Sequence, residues 1–251
     1  MFSLSQTIRP NPYSQLGTAS AIAGAFLPEF RNQSVAYLNL DQEARRVFAE
    51  NRAPYTDPSR LAEATDCDSF VRELHAKYRV SASLGRYLED RAYLWQGTYL
   101  GGSDKTLHLG VDINVPSGSV VTTPLAGRVI RVDNDHPERW GWGPRVFLEI
   151  ESQEAPRSVF IFAHLAQVSV QVDDNLPIGA RIGVVGAPPR NGDWFPHLHV
   201  QHVLRDVFDT YLRTDIWSLD GYGARGVIDQ LKRDFPDPII SALLSSSEPT
   251  P

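Results

Sequence analysis

Cysteine and lysine are nearly missing from this chain. The single cysteine, Cys67, excludes an intrachain disulfide and any cysteine-built metal cluster. A metal would have to be held by imidazole and carboxylate. Only three lysines occur, Lys77, Lys105 and Lys232, and the formal net charge is -6. A nucleic-acid footprint needs clustered basic residues, so no nucleic-acid partner is expected. No apolar run approaches the roughly 20 residues that span a bilayer, so no membrane partner is expected either. The stretch from Ala19 to Leu27 is mildly apolar, but it is short, lies late and has only Arg9 before it. A secretory signal needs a positive start, a continuous apolar stretch and a small-residue cleavage site. The stretch therefore reads as part of the fold, and the expected compartment is the cytoplasm. What is present is ordinary globular material: of 251 residues, 42% are hydrophobic and 22% charged, enough for a core without disulfides.

Three zones follow one another. Residues 1–95 mix loops and helices. Ser69 to Val80 places Phe70, Val71, Leu74 and Tyr78 at helical spacing, with Asp66 and Asp68 positioned to cap its start. Arg86 to Leu94 reads as a second helix or an extended lead-in. Residues 96–205 are rich in Val, Ile and Gly. Val120–Thr123, Arg128–Val132, Val146–Ile150, Val159–Ala163 and Ile182–Val185 read as strands. PSGS at 116–119, WGWG at 140–143 and PPRNGD at 188–193 read as turns. Residues 206–251 form a C-terminal extension, with one short helix around Val227, Ile228 and Leu231 stopped by Pro236. The final SSSEPTP is expected to be disordered.

Six of the seven histidines lie at or beyond His108, which concentrates the chemistry in the strand-rich zone. In His108-Leu-Gly-Val-Asp112, side chains 108 and 112 share one face if the segment is a strand. In His197-Leu-His199 the two imidazoles do the same. His164 ends the apolar run VFIFA. A catalytic zinc takes three protein ligands from nitrogen and oxygen donors and leaves one position for water. Two imidazoles and a carboxylate meet that need. Taken singly, each piece has a plainer reading: a surface HxxxD pair, a metal-free HxH strand, a core histidine at 164. His75, His136 and His202 read as structural or surface residues. There is no HExxH, so no glutamate stands beside a ligand as general base. Trp140, Trp142, Trp194 and Phe195 are candidates for a cleft wall, though aromatic residues more often fill cores.

Read together, HLGVDINVPSGSVVTTPLAGRVI, GWGPRVFLEI, FAHL, IGARIGVVG and PHLHVQ resemble the M23 zinc metallopeptidases, the LytM or lysostaphin-type family, over residues 97–203. The pattern GRYLEDRAYLWQG, with NGDWFPHLHVQ and FPDP, is similar to a cytoplasmic-type branch of such domains. The resemblance implies an α+β protein. Its antiparallel β catalytic core would be a small barrel-like sheet, with helical extensions at both ends. It implies Zn2+ bound by His108, Asp112 and His199, with His164 and His197 as the catalytic pair. The implied activity is that of a zinc metalloendopeptidase on a peptide or peptidoglycan-like substrate. The sequence departs from the family pattern at Phe195, where Gly is usual, and at Val200-Gln201, where Phe-Glu is common. A non-catalytic, zinc-stabilised binding domain is the alternative. A lipoyl-type carrier is excluded, because no lysine lies between 106 and 231.

Overall fold

The computed structural model describes residues 17–50, 55–98, 100–133, 141–150, 156–216, 219 and 221–245. The N-terminal zone supplies α1 (Ala19–Phe26), β1 (Val35–Tyr37), α2 (Leu40–Ala49), α3 (Ala64–Tyr78) and β2 (Ala82–Leu84). The strands β3 (Lys105–His108), β4 (Gly110–Asn114), β5 (Val120–Thr122), β6 (Gly127–Asp133) and β7 (Arg145–Ile150) follow. After them come β8 (Ser158–Ala163), β9 (Leu165–Val168), β10 (Asn175–Leu176), β11 (Arg181–Val185) and β12 (Leu198–Leu204). Then α4 (Arg205–Thr214), β13 (Tyr222–Ala224), α5 (Ile228–Asp234) and α6 (Pro238–Ser245) complete the order.

The main sheet has eight strands in the order β1-β2-β4-β12-β8-β7-β6-β10. Side chains alternate between its faces, and both faces are covered. Val111, Phe160, Phe162 and Val200 pack on one side with Ile22 and Phe26 of α1 and Ile239 of α6. Phe147, Ile161 and Val203 pack on the other with Phe208 of α4 and Leu231 of α5. Burial on both faces explains why VFIFA is a continuous apolar run rather than an alternating one. A third cluster joins Leu40 and Phe48 of α2, Phe70 and Leu74 of α3, and Trp95, Trp194 and Phe195. Through it the N-terminal helices are packed beside the end of β12 that carries the HxH pair.

The expected small, barrel-like and wholly antiparallel sheet is overturned. None of the sheets among the described residues closes. Closure would require the outer strands to pair with each other, but the main sheet ends on two short edges, β1 and β10. It is also mixed, because β1 joins β2 in parallel. A separate three-stranded sheet, β5-β11-β9, and the pair β13-β3 stand beside it. The α+β class and the helices at both ends remain.

Local expectations changed as well. The helix expected from Ser69 starts earlier, at Ala64, with Glu63 as its N-cap residue. Asp66 and Asp68 therefore lie inside it, paired with Arg60 and Arg72 at 2.8 Å each. Arg86 to Leu94 is not a helix but a lead-in laid along β3. Leu88 and Arg91 donate backbone N–H to His108 and Thr106, and the N–H of His108 is accepted by Glu89. Among the described residues the C-terminal zone has three α-helices where one short helix was expected. Of the SSSEPTP tail, all but Ser245 lies outside the described residues. Among the described residues no helix is long and apolar enough to cross a membrane.

Candidate metal centre

Strand register assembles the site. β12 runs antiparallel to β4 with His199 opposite Asp112, and antiparallel to β8 with His199 opposite Ala163, next to His164. β13 pairs with β3 so that Tyr222 sits opposite His108. HLGVD does not form one strand, as the sequence suggested. The chain leaves β3 at His108 and enters β4 at Gly110, in a different sheet. Between them Leu109 donates its N–H to Gly221, which draws the break toward the C-terminal segment. Gly110 is required here. A Cβ at that position would meet His199 Cε1 at 2.5 Å and the Val200 carbonyl oxygen at 2.6 Å.

Three lone-pair atoms converge. His108 Nε2 lies 3.0 Å from His199 Nδ1, His199 Nδ1 lies 2.9 Å from Asp112 Oδ1, and His108 Nε2 lies 3.5 Å from Asp112 Oδ1. Donors about 2.0–2.1 Å from a tetrahedral zinc stand roughly 3.3 Å apart, so the triangle has the size of one face of such a site. The cluster fits a metal ion. All three residues are buried. His199 Nε2 faces Gln201 Oε1 at 3.1 Å. Donation there places the proton on Nε2 and leaves the Nδ1 lone pair turned inward. Asp112 Oδ2 accepts from Arg91 Nη1 at 2.6 Å. Burial pushes the Asp112 carboxyl up, but the neighbouring His108 and Arg91 outweigh burial and hold it well below the usual range. Burial, reinforced by Arg91, keeps His108 neutral far below the ordinary imidazole value.

A second pair of imidazoles stands beside this triangle. His164 follows β8 in a left-handed conformation, φ 62°. Its N–H donates to the Trp142 carbonyl, and its own carbonyl accepts from Gly186. His164 Nδ1 donates to the Asn191 carbonyl at 2.7 Å, and His197 Nδ1 to the Phe195 carbonyl at 2.8 Å. Both rings are thereby fixed with Nε2 as the acceptor nitrogen. Their centroids are 4.2 Å apart, and His197 Nε2 is 3.8 Å from Asp112 Oδ1. Burial lowers the pKa of both, furthest for His164, where His197 adds repulsion.

The five residues singled out in the sequence open into one cleft of about 510 Å³, which is partly continuous with solvent. Its walls include Trp142, Trp194, Trp95 and Tyr222. Trp95 and Trp194 are stacked at 4.6 Å, and Tyr222 meets Trp95 edge-on at 5.2 Å. Phe195 is fully buried and stacks on His197 at 4.7 Å, so it supports the ring rather than lining the cleft. Trp140 and His136 lie outside the described residues. His75 bonds to Ser83 and His202 to Ser241, away from the centre. Arg91 and Trp95 lie in the GRYLEDRAYLWQG pattern and Gln201 ends PHLHVQ, but nothing local assigned them a place at the centre, and Tyr222 belongs to no motif; only long-range pairing brings them here.

A buried His-Asp-His triangle, two tautomer-fixed imidazoles and an adjoining cleft together have the geometry of a catalytic metal site. Residues 106–207 match the model of Peptidase family M23, a span of less than half the chain. No curated protein matches the chain. Among solved structures, it is similar to a candidate M23 peptidase of Pseudomonas aeruginosa at 29% identity, covering 39% of each chain with a TM-score of 0.33. A zinc-containing peptidase of Vibrio cholerae is 28% identical, covering 40% of this chain and 28% of that one, TM-score 0.33. Lysostaphin is 26% identical, covering 39% of this chain and 37% of that one, TM-score 0.32. This chain thus spans well under half the length of each.

Proposed function

We propose that the protein is a zinc metallopeptidase of the lysostaphin type, cutting an amide bond in a peptide or peptidoglycan-like substrate. The observation that carries this reading is the convergence of three buried lone pairs beside two imidazoles already fixed as acceptors. His108, Asp112 and His199 would hold the ion, and two imidazoles with one carboxylate suit zinc. When bound, zinc polarises a carbonyl oxygen and lowers the pKa of water from roughly 16 to about 7. The chain's own residues do the rest. His164 and His197 present neutral Nε2 atoms, so either can accept the proton of the attacking water. Once protonated, that Nε2 donates to the developing oxyanion or to the departing amine nitrogen. The carbonyls of Asn191 and Phe195 keep each ring oriented while it gains and loses a proton. The aromatic walls exclude bulk water from one side of the cleft.

The test is metal content of purified wild type and Asp112→Ala, followed by hydrolysis of a peptide library. Near-stoichiometric zinc, lost in the variant, with cleavage abolished by chelator, supports the proposal. A wild type that takes up no zinc on reconstitution overturns it.

A further inference from the structure

We propose that Arg91, which lies upstream of the family-matched segment, is a positioning residue for the metal centre, fixing Asp112 as a one-oxygen ligand. This inference rests on the zinc reading above. A carboxylate beside a cation can offer one oxygen or both. Here Oδ1 faces His199 Nδ1 at 2.9 Å and His108 Nε2 at 3.5 Å, while Oδ2 is taken by Arg91 Nη1 at 2.6 Å. With Oδ2 occupied, the site keeps three protein ligands and an open position, as a catalytic centre requires.

The shortest polar contact of the Arg91 side chain is the one to Asp112. Arg91 is 1% exposed and does not line the cleft, so it cannot meet a substrate. Its N–H is bonded to the Thr106 carbonyl, and the neighbouring Asp90 bridges to Leu107, one residue before His108. The same Nη1 also donates to Tyr222 Oη at 3.2 Å, and Nε lies 3.8 Å from Glu89 Oε1. A buried guanidinium is expensive to desolvate and is tolerated only when it is paired. The pair formed here puts positive charge behind a ligand. The lead-in segment is therefore part of the centre.

The experiment compares full-length wild type, Arg91→Met and Arg91→Lys by chelator competition for zinc, by visible spectra of the cobalt-substituted forms, and by urea unfolding of the metal-free forms. Arg91→Met is expected to bind zinc about 10–100-fold more weakly, as for loss of other outer-shell partners. Its cobalt bands should weaken as the freed Oδ2 turns toward the ion. Arg91→Lys, with one donor and the same charge, should lose less. Should Arg91→Met not fold, Arg91→Lys decides on the same readings. Affinities within about twofold of wild type with an unchanged cobalt spectrum, against the outer-shell expectation, overturn the proposal while leaving the zinc reading intact. So does a loss of affinity that merely follows a loss of metal-free stability. A wild type that takes up neither metal removes both.

Discussion

His199 and Gln201 lie two residues apart on β12, and the imidazole Nε2 of one faces the side-chain oxygen of the other at 3.1 Å. Donation there puts the ring proton on Nε2 and leaves Nδ1 turned toward Asp112. Replacing Gln201 with Leu, close in volume but without an acceptor, frees the ring to adopt the other tautomer. Zinc affinity is expected to fall about 10–100-fold, with the fold intact. Chelator competition checks this, and an unchanged affinity would mean that the contact orients nothing.

Gly110→Ala should be far more damaging than its single methyl suggests. The new Cβ would stand 2.5 Å from the His199 ring and 2.6 Å from the Val200 carbonyl oxygen. The ring can swing, but the carbonyl belongs to the β12–β4 ladder and cannot. A destabilisation of about 1–3 kcal/mol is expected, together with loss of metal, because His199 has to leave its place. Urea midpoints and metal content measure the two effects. A variant with wild-type stability and full zinc would show that the ladder yields.

Much of this molecule is visible in its sequence, and the rest is absent for physical reasons. The strand from Val146 to Ile150 and that from Val159 to Ala163 are apolar runs bounded by turn residues, so local pattern suffices. The helix beginning at Pro238 is locally marked too, since Pro favours a first turn, but the stop at Pro236 hid it. Other features are decided only at long range. β1 is three residues long and exists because β2 accepts it in parallel. Asp112 and His199 meet because of the β12–β4 register, which no local signal sets. Their joint reading came from resemblance, not from spacing. Arg91 is one arginine among many until Asp90 bridges to Leu107. The barrel-like expectation failed for a similar reason, since edge pairing is a property of the whole sheet.

The paired imidazoles separate binding from turnover. His164→Ala and His197→Ala each leave the three converging atoms in place, so zinc content should stay near wild type. Turnover should drop by about 10²–10⁴-fold. Because burial lowers the pKa of both rings, they remain neutral acceptors below the ordinary imidazole value. The acid limb of kcat/KM should therefore lie below pH ~6.5, with no loss from these groups at higher pH. An acid limb centred above that value, or full activity in either variant, would remove the pair from the chemistry.

His202 gives the fold a pH dependence independent of the metal. Its ring stacks on Phe160 at 4.6 Å, bonds to Ser241 at 2.9 Å and leaves Nε2 buried without a partner. Burial lowers its pKa from 6.5 to about 4. In the unfolded chain it takes up a proton near 6.5, and in the folded chain only near 4. Between those values the unfolded state binds more protons, so this contribution to stability is fully present above pH 6.5 and falls as pH drops toward 4. The loss attributable to this one group is about 3 kcal/mol across the window, at 1.4 kcal/mol per unit. His202→Phe keeps the ring and the stack but cannot titrate. Urea unfolding between pH 7 and pH 4, run on metal-free wild type and variant, should show a pH slope shallower in the variant by about one proton. Equal slopes would place the ring in contact with solvent in the folded protein and the source of any acid loss elsewhere.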